Sequence, residues 1–153
     1  MSDIQVSLTP AQMEIFNSPA RFKVAACGRR FGKSYLAAWT LLIKGLESQS
    51  KDIFYIAPTF QQAKDILWGL LKDLGRDVIK STHENTATIT LINGRKIYLK
   101  GSDRPDTLRG VGLAYVVMDE YAFMKPSVFE QIIRPTLADV KGEALFIGTP
   151  EGR

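Results

Sequence analysis

Cysteine is almost absent. Cys27 stands alone, which excludes an internal disulfide, and the single histidine, His83, leaves no finger-like metal site with it. Long apolar runs are also missing: the longest, residues 36–43 with Thr40 inside it, falls far short of the ~20 residues needed to cross a bilayer. The opening MSDIQVSLTP has neither a basic start nor an apolar stretch, so no secretory leader is expected. No repeat, low-complexity tract or linker divides the chain. Neither sign of charge dominates, since 20 Lys and Arg against 16 Asp and Glu leave +4 at neutral pH and a pI of about 9.2. Such an excess permits a polyanionic partner without demanding one, so the placement of the basic residues decides more than their number. A reducing, cytosolic setting without membrane contact is expected.

What remains is ordinary globular material. The 153 residues are 45% apolar and 24% charged, enough for one domain and too few for two. Short β-rich runs alternate with amphipathic segments, which predicts an α/β layered fold. Strands are expected at Phe22–Ala26, Asp52–Ile56, Leu113–Met118 and Ala144–Gly148. A helix is expected from Lys33 to about Glu47, with Leu36, Trp39, Ile43 and Leu46 on its buried face. A second, Thr59 to Leu74, repeats apolar residues at spacings of three and four and closes at Gly75. Thr86–Leu91 and Lys96–Lys100 flank Asn93-Gly94 and predict a β-hairpin near 86–100. Pro126 to about Asp139 reads as a helix interrupted at Pro135.

Two stretches carry chemistry. Cys27-Gly28-Arg29-Arg30-Phe31-Gly32-Lys33-Ser34 joins a buried strand to a helix start, where backbone N–H groups and the helix dipole converge on an anion. Gly28 and Gly32 let the backbone turn and approach a ligand closely. Lys33 would bind β- and γ-phosphate oxygens of a nucleoside triphosphate, and the Ser34 hydroxyl would ligate the accompanying Mg2+. The match to the G-x-x-x-x-G-K-[ST] pattern is imperfect, because Cys27 occupies the first glycine position. The second stretch, Ala114 to Met118, delivers Asp119 and Glu120 at a strand's C-terminal end, where open α/β sheets bind ligands. Asp119 would hold Mg2+ and Glu120 would polarise an attacking water. The sequence thus predicts that Lys33 and Asp119 converge.

At these residues the chain resembles the ATPase domain of a large terminase subunit, the motor that packages DNA of tailed bacteriophages into preformed capsids. The resemblance rests on an ordered series: Leu8-Thr9-Pro10-Ala11-Gln12, the phosphate loop, Tyr55-Ile56-Ala57-Pro58-Thr59, Leu108-Arg109-Gly110, the Asp119-Glu120 strand and Gly148-Thr149-Pro150. It implies a P-loop, RecA-like, mostly parallel sheet with helices on both faces. In such a fold the core order runs 52–56, 114–118, 144–148, 22–27, with a fifth strand beyond 22–27 missing. It implies adenine recognition by Gln12, phosphate contacts from Gly28, Arg29, Arg30, Phe31, Gly32, Lys33 and Ser34, and γ-phosphate sensing by Thr149. Arg29 is favoured as the arginine acting in cis, and Arg109 resembles the one supplied to a neighbouring subunit; either kind contributes about 10³–10⁵ in rate. The implied partners are double-stranded DNA, gripped weakly and without sequence readout, the capsid portal, the small terminase subunit and further copies in a ring, in the cytoplasm of the infected bacterium. A complete large subunit would extend into further ATPase strands and a nuclease domain, so residues 1–153 are expected to be an ATPase domain incomplete at its C-terminal end. No nuclease activity is expected from them.

Two alternatives stay open on the sequence: the first motor lobe of a superfamily-2 helicase, which shares the same motif set, and a catalytically silent nucleotide-binding fragment. For DNA contact the sequence offers Arg95, Lys96, Lys100, Arg104 and Arg109, preceded by Lys72, Arg76 and Lys80.

Overall fold

The computed structural model describes residues 21–26 and 32–148. They form a seven-stranded sheet covered by helices on both faces. Strand β1 (Phe22–Ala26) precedes helix α1 (Lys33–Glu47) and strand β2 (Asp52–Ala57). Helix α2 follows in three contiguous parts, Phe60–Ala63, a wider π-type turn Lys64–Trp68, and Gly69–Leu74. Its start is fixed locally: Thr59 Oγ1 accepts from the Gln62 N–H while Gln62 Oε1 accepts from the Thr59 N–H. Strands β3 (Ile79–His83), β4 (Thr88–Leu91) and β5 (Lys96–Gly101) then add an antiparallel flank. Strand β6 (Leu113–Asp119), helix α3 (Val128–Ile133, then Arg134–Thr136) and strand β7 (Glu143–Gly148) complete the order.

Across the sheet the strands run β1-β7-β6-β2-β5-β4-β3. The four that carry the motifs lie together and parallel, in the order expected from the sequence. The hairpin is no separate appendage, because β5 pairs in parallel with β2 and extends the same sheet. Strand β3, absent from the sequence reading, forms one edge.

Strands β2 and β6 are buried on both faces, which explains their unbroken apolar character. Ile53, Tyr55, Val117 and Ile147 face α1 and α2; Phe54, Ile56, Val116 and Met118 face α3. Helix α1 departs from the expected stripe. Residues 36–42 are all buried, while Ile43 and Leu46 are half-buried. The helix is covered by the sheet on one side and by α2 on the other, so most of its circumference is apolar. Gly75 permits this layering, since a Cβ there would meet Leu42 Cδ2 at 2.8 Å.

Pro135 does not break its helix. The preceding Val128–Ile133 turn is wound more loosely, which accommodates a residue without an N–H. Among the described residues no helix is long and apolar enough to cross a membrane.

Candidate active site

Of the residues singled out in the sequence, Gln12, Gly28, Arg29, Arg30, Phe31 and Thr149 lie outside the described residues. Gly32, Lys33, Ser34, Arg109, Asp119 and Glu120 are described. Gly32 caps α1 in the left-handed conformation (φ 66°, ψ 40°), where glycine alone pays no steric penalty. The helix leaves it directly, with the Leu36 N–H donating to the Gly32 carbonyl at 3.0 Å. Its first turn holds no acidic side chain and presents Lys33 and Ser34 at the positive end of the dipole.

The carboxylates arrive from β6, whose neighbours β7 and β2 fix its height in the sheet. Asp119 pairs in register with Ile147, and the Glu120 N–H donates to the Ile147 carbonyl at 2.8 Å. There the chain turns: Glu120 is left-handed (φ 54°, ψ 44°), a conformation a non-glycine residue adopts at a cost of roughly 1–3 kcal/mol and typical of functional positions. Alternation along the strand carries Asp119 inward, while Glu120 stands at the rim.

Lys33 joins the two halves. Its Nζ donates to Glu120 Oε2 at 2.6 Å and lies 3.3 Å from Asp119 Oδ1. The convergence of Lys33 and Asp119 expected from the sequence is present. The Lys33 side chain is only 12% exposed and that of Asp119 is completely buried. Burial by itself would lower the Lys33 pKa, but the hydrogen bond to Glu120 and the charges of both carboxylates outweigh it and raise the value. For Asp119 burial wins: its pKa is raised despite the Tyr55 hydrogen bond and the nearby Lys33 ammonium.

Sequence reasoning missed Tyr55 as a site residue. It lies fully buried in β2, and its hydroxyl donates to Asp119 Oδ2 at 2.5 Å. Desolvation, then the adjacent Asp119 charge, push its own pKa well up, so it stays a donor. The signal was a phenol in the middle of the apolar run Ile53–Ala57, on the strand face that β2 shares with Val117 and Asp119; a buried hydroxyl needs a partner.

The donor set suits a hard divalent cation bound together with phosphate. Asp119 Oδ1 accepts no hydrogen bond from the described residues although it is buried, which leaves a lone pair for a metal. Among the described residues no three His, Cys, Asp or Glu gather as a metal cluster. An ion held by Asp119 and Ser34 would therefore complete its shell with water and phosphate oxygens, as Mg2+ prefers.

Arg109 is not brought to this cluster. Its side chain is 58% exposed and pairs with Asp106 at 3.5 Å. The basic residues proposed for DNA contact are also dispersed: Arg76 pairs with Asp73, Lys72 with Glu84, Arg104 stacks over Phe60, and Arg95 donates to the Gln49 carbonyl.

The strand order, the glycine-turned helix start after β1 and the acidic end of β6 define a P-loop domain of the RecA-like type. The family described as "Terminase large subunit, T4likevirus-type, N-terminal" matches residues 25–153, and the chain belongs to that family. It is 30% identical over 161 residues to the large terminase subunit of Thermus phage G20c, covering 92% of this chain and 33% of the relative. With the large terminase subunit of Escherichia phage T5 it shares 33% identity over 140 residues, 86% of this chain and 31% of the relative. It is also similar in structure to the large terminase ATPase domain of Thermus phage P74-26, with a TM-score of 0.82 and 28% identity over 95% of this chain and 66% of that one. The chain thus spans about a third of the length of the curated relatives it matches.

Proposed function

We propose that this chain is the ATP-hydrolysing motor domain of a phage DNA-packaging terminase, coupling Mg-ATP hydrolysis to movement of double-stranded DNA into a capsid. The observation that carries the reading is the bridge from Lys33 to Asp119 and Glu120, together with membership of the terminase family.

The bridge accounts for how the site would work. Lys33 is held by the two carboxylates at the place where phosphate would compete for it. A bound triphosphate would draw the ammonium onto its β- and γ-oxygens and away from Glu120 Oε2. The Glu120 carboxylate, at the rim of the site, would then accept a proton from water attacking the γ-phosphate. Ser34 and Asp119 would hold Mg2+, which when bound neutralises charge developing on the phosphate oxygens. Gly28, Arg29, Arg30, Phe31 and Gly32 complete the phosphate cradle in this reading, with Arg29 stabilising charge in cis. Gln12 recognises adenine, and Thr149, following β7, senses the γ-phosphate. Arg109, exposed and away from the Lys33 cluster, is free to reach the nucleotide of a neighbouring copy in a ring.

Duplex DNA is the proposed track, held through phosphates. With most of the basic residues occupied elsewhere, the surface that suits it is an open groove of about 510 Å³ on β3–β5, lined by Lys96, Lys100 and threonine hydroxyls. The capsid portal and the small terminase subunit are the proposed protein partners, in the cytoplasm of the infected bacterium. Hydrolysis of ATP, and not cleavage of DNA, is the activity we assign to these residues.

Steady-state phosphate release tests the assignment. The purified chain should hydrolyse ATP only with Mg2+, and Glu120→Gln and Lys33→Ala should each lower kcat at least about a hundredfold, the upper range for a positioned acid–base group. Hydrolysis that neither substitution slows would overturn the roles given to both residues.

A further inference from the structure

Tyr55 takes no part in the steps above, yet its hydroxyl donates to Asp119 Oδ2 in the buried interior. The two oxygens of this carboxylate live differently. Oδ2 accepts from the Tyr55 hydroxyl at 2.5 Å in the interior, whereas Oδ1 accepts no hydrogen bond of good geometry from the described residues and lies 3.3 Å from Lys33 Nζ. A carboxylate is free to rotate about its Cβ–Cγ bond, because that torsion is broad and nearly two-fold. One strong donor on one oxygen removes that freedom.

The strand register explains why the donor is a tyrosine. Tyr55 of β2 stands opposite Val117 of β6, and Asp119 is two residues farther along on the same face. Adjacent strands are about 4.8 Å apart and two residues advance about 6.6 Å, so a side chain at 55 must reach diagonally. A serine or threonine hydroxyl is too short; a phenol spans the gap with its ring packed in the core and its oxygen on the acid. Packing alone would be met by phenylalanine, which would leave both Asp119 oxygens buried without a neutral donor.

We propose that Tyr55 is a positioning residue for the metal: its hydroxyl fixes the rotation of the Asp119 carboxylate so that Oδ1 is presented to the Mg2+ of the nucleotide complex. This rests on Asp119 being a metal ligand, as in the proposed function. Tyr55 acts only through Asp119, touching neither nucleotide nor metal.

The test measures binding of a fluorescent ADP analogue to the full chain in EDTA and across a Mg2+ series, for wild type, Tyr55→Phe, Asp119→Asn and the double variant. Tyr55→Phe should bind the analogue in EDTA within about twofold of wild type but need about tenfold more Mg2+ for half-maximal enhancement, the scale of one hydrogen bond to a charged group. In the Asp119→Asn background the same substitution should change the Mg2+ response no further. An unchanged Mg2+ midpoint in Tyr55→Phe, or an equal shift with and without Asp119, overturns the proposal. If Asp119→Asn itself leaves the Mg2+ response intact, the metal-ligand assignment fails, which is a separate outcome from failure of Tyr55 alone. Should Tyr55→Phe not fold, the hydroxyl proton of Tyr55 in the wild-type protein answers the same question by NMR. It should stay slowly exchanging in the Mg2+-bound analogue complex, and its loss on Mg2+ addition overturns the proposal.

Discussion

Lys33 is held by Asp119 and Glu120, and the electrostatics of that triad have consequences for stability. Burial raises the Asp119 pKa above its ordinary 3.8, so the folded chain binds that proton more tightly than the unfolded one. The charged form therefore weakens folding, and the loss develops as pH rises from 3.8 through the raised value. The Lys33 shift has the stabilising sign: its contribution is fully present below 10.5 and disappears only as pH climbs through the raised value. It does not vary in the neutral range. Asp119→Asn should thus raise the melting temperature of the nucleotide-free protein at neutral pH, and the advantage should shrink as pH falls toward 3.8. Thermal melts of wild type and variant over that range check this; a variant less stable at neutral pH would contradict it. The convergence of Lys33 with Asp119 and Glu120 was legible because Lys33 opens a helix after a glycine-containing stretch and the two acids follow the apolar run of β6. Tyr55 was not, because its role depends on which strand lies beside β6, and strand neighbours are set by tertiary packing.

Among the elements, the readable ones were those with strong internal patterns. The unbroken apolar runs of β2 and β6 and the Lys33–Glu47 helix appear where expected. Strand β3 was hidden because Lys80, Ser81, Thr82 and His83 are all exposed and the strand is held mainly by main-chain pairing with β4. The wholly buried middle of α1 was equally invisible, since the contact with α2 that covers its outer side joins segments distant in sequence. The hairpin turn does more than reverse the chain. Gly94 takes φ 90°, and Asn93 Nδ2 donates to the carbonyls of Gly45 and Leu46 at 3.0 and 3.2 Å, satisfying groups left over at the end of α1. Gly45 allows this approach, as a Cβ there would meet Leu91 Cδ1 at 2.6 Å. Asn93→Ala should therefore cost about 1–2 kcal/mol, the loss of one to two modest hydrogen bonds, read as a lower urea midpoint with an unchanged slope. No change in midpoint would show that the turn caps nothing.

At the scale of the molecule, the parallel strands β1, β7, β6 and β2 set the distance between the phosphate-loop helix and the acidic strand, and β3–β5 widen the sheet without touching that geometry. Among the described residues strand β1 forms the other edge, with Val24 65% exposed beside the aromatic cluster of Phe22, Phe129 and Phe146. That edge is apolar where β3 is polar, an asymmetry that favours pairing on the β1 side. In the proposed function Lys33 and Asp119 are the two halves of a Mg-ATP site. Calorimetric titration of Mg-ATP into the wild-type chain and into Lys33→Ala is its most direct test. Saturable heat at one site is expected in the wild type, and binding weaker by at least about tenfold in the variant, the scale of a lost charge-assisted contact. Absence of heat at saturating Mg-ATP, or equal affinity in the two proteins, would contradict it.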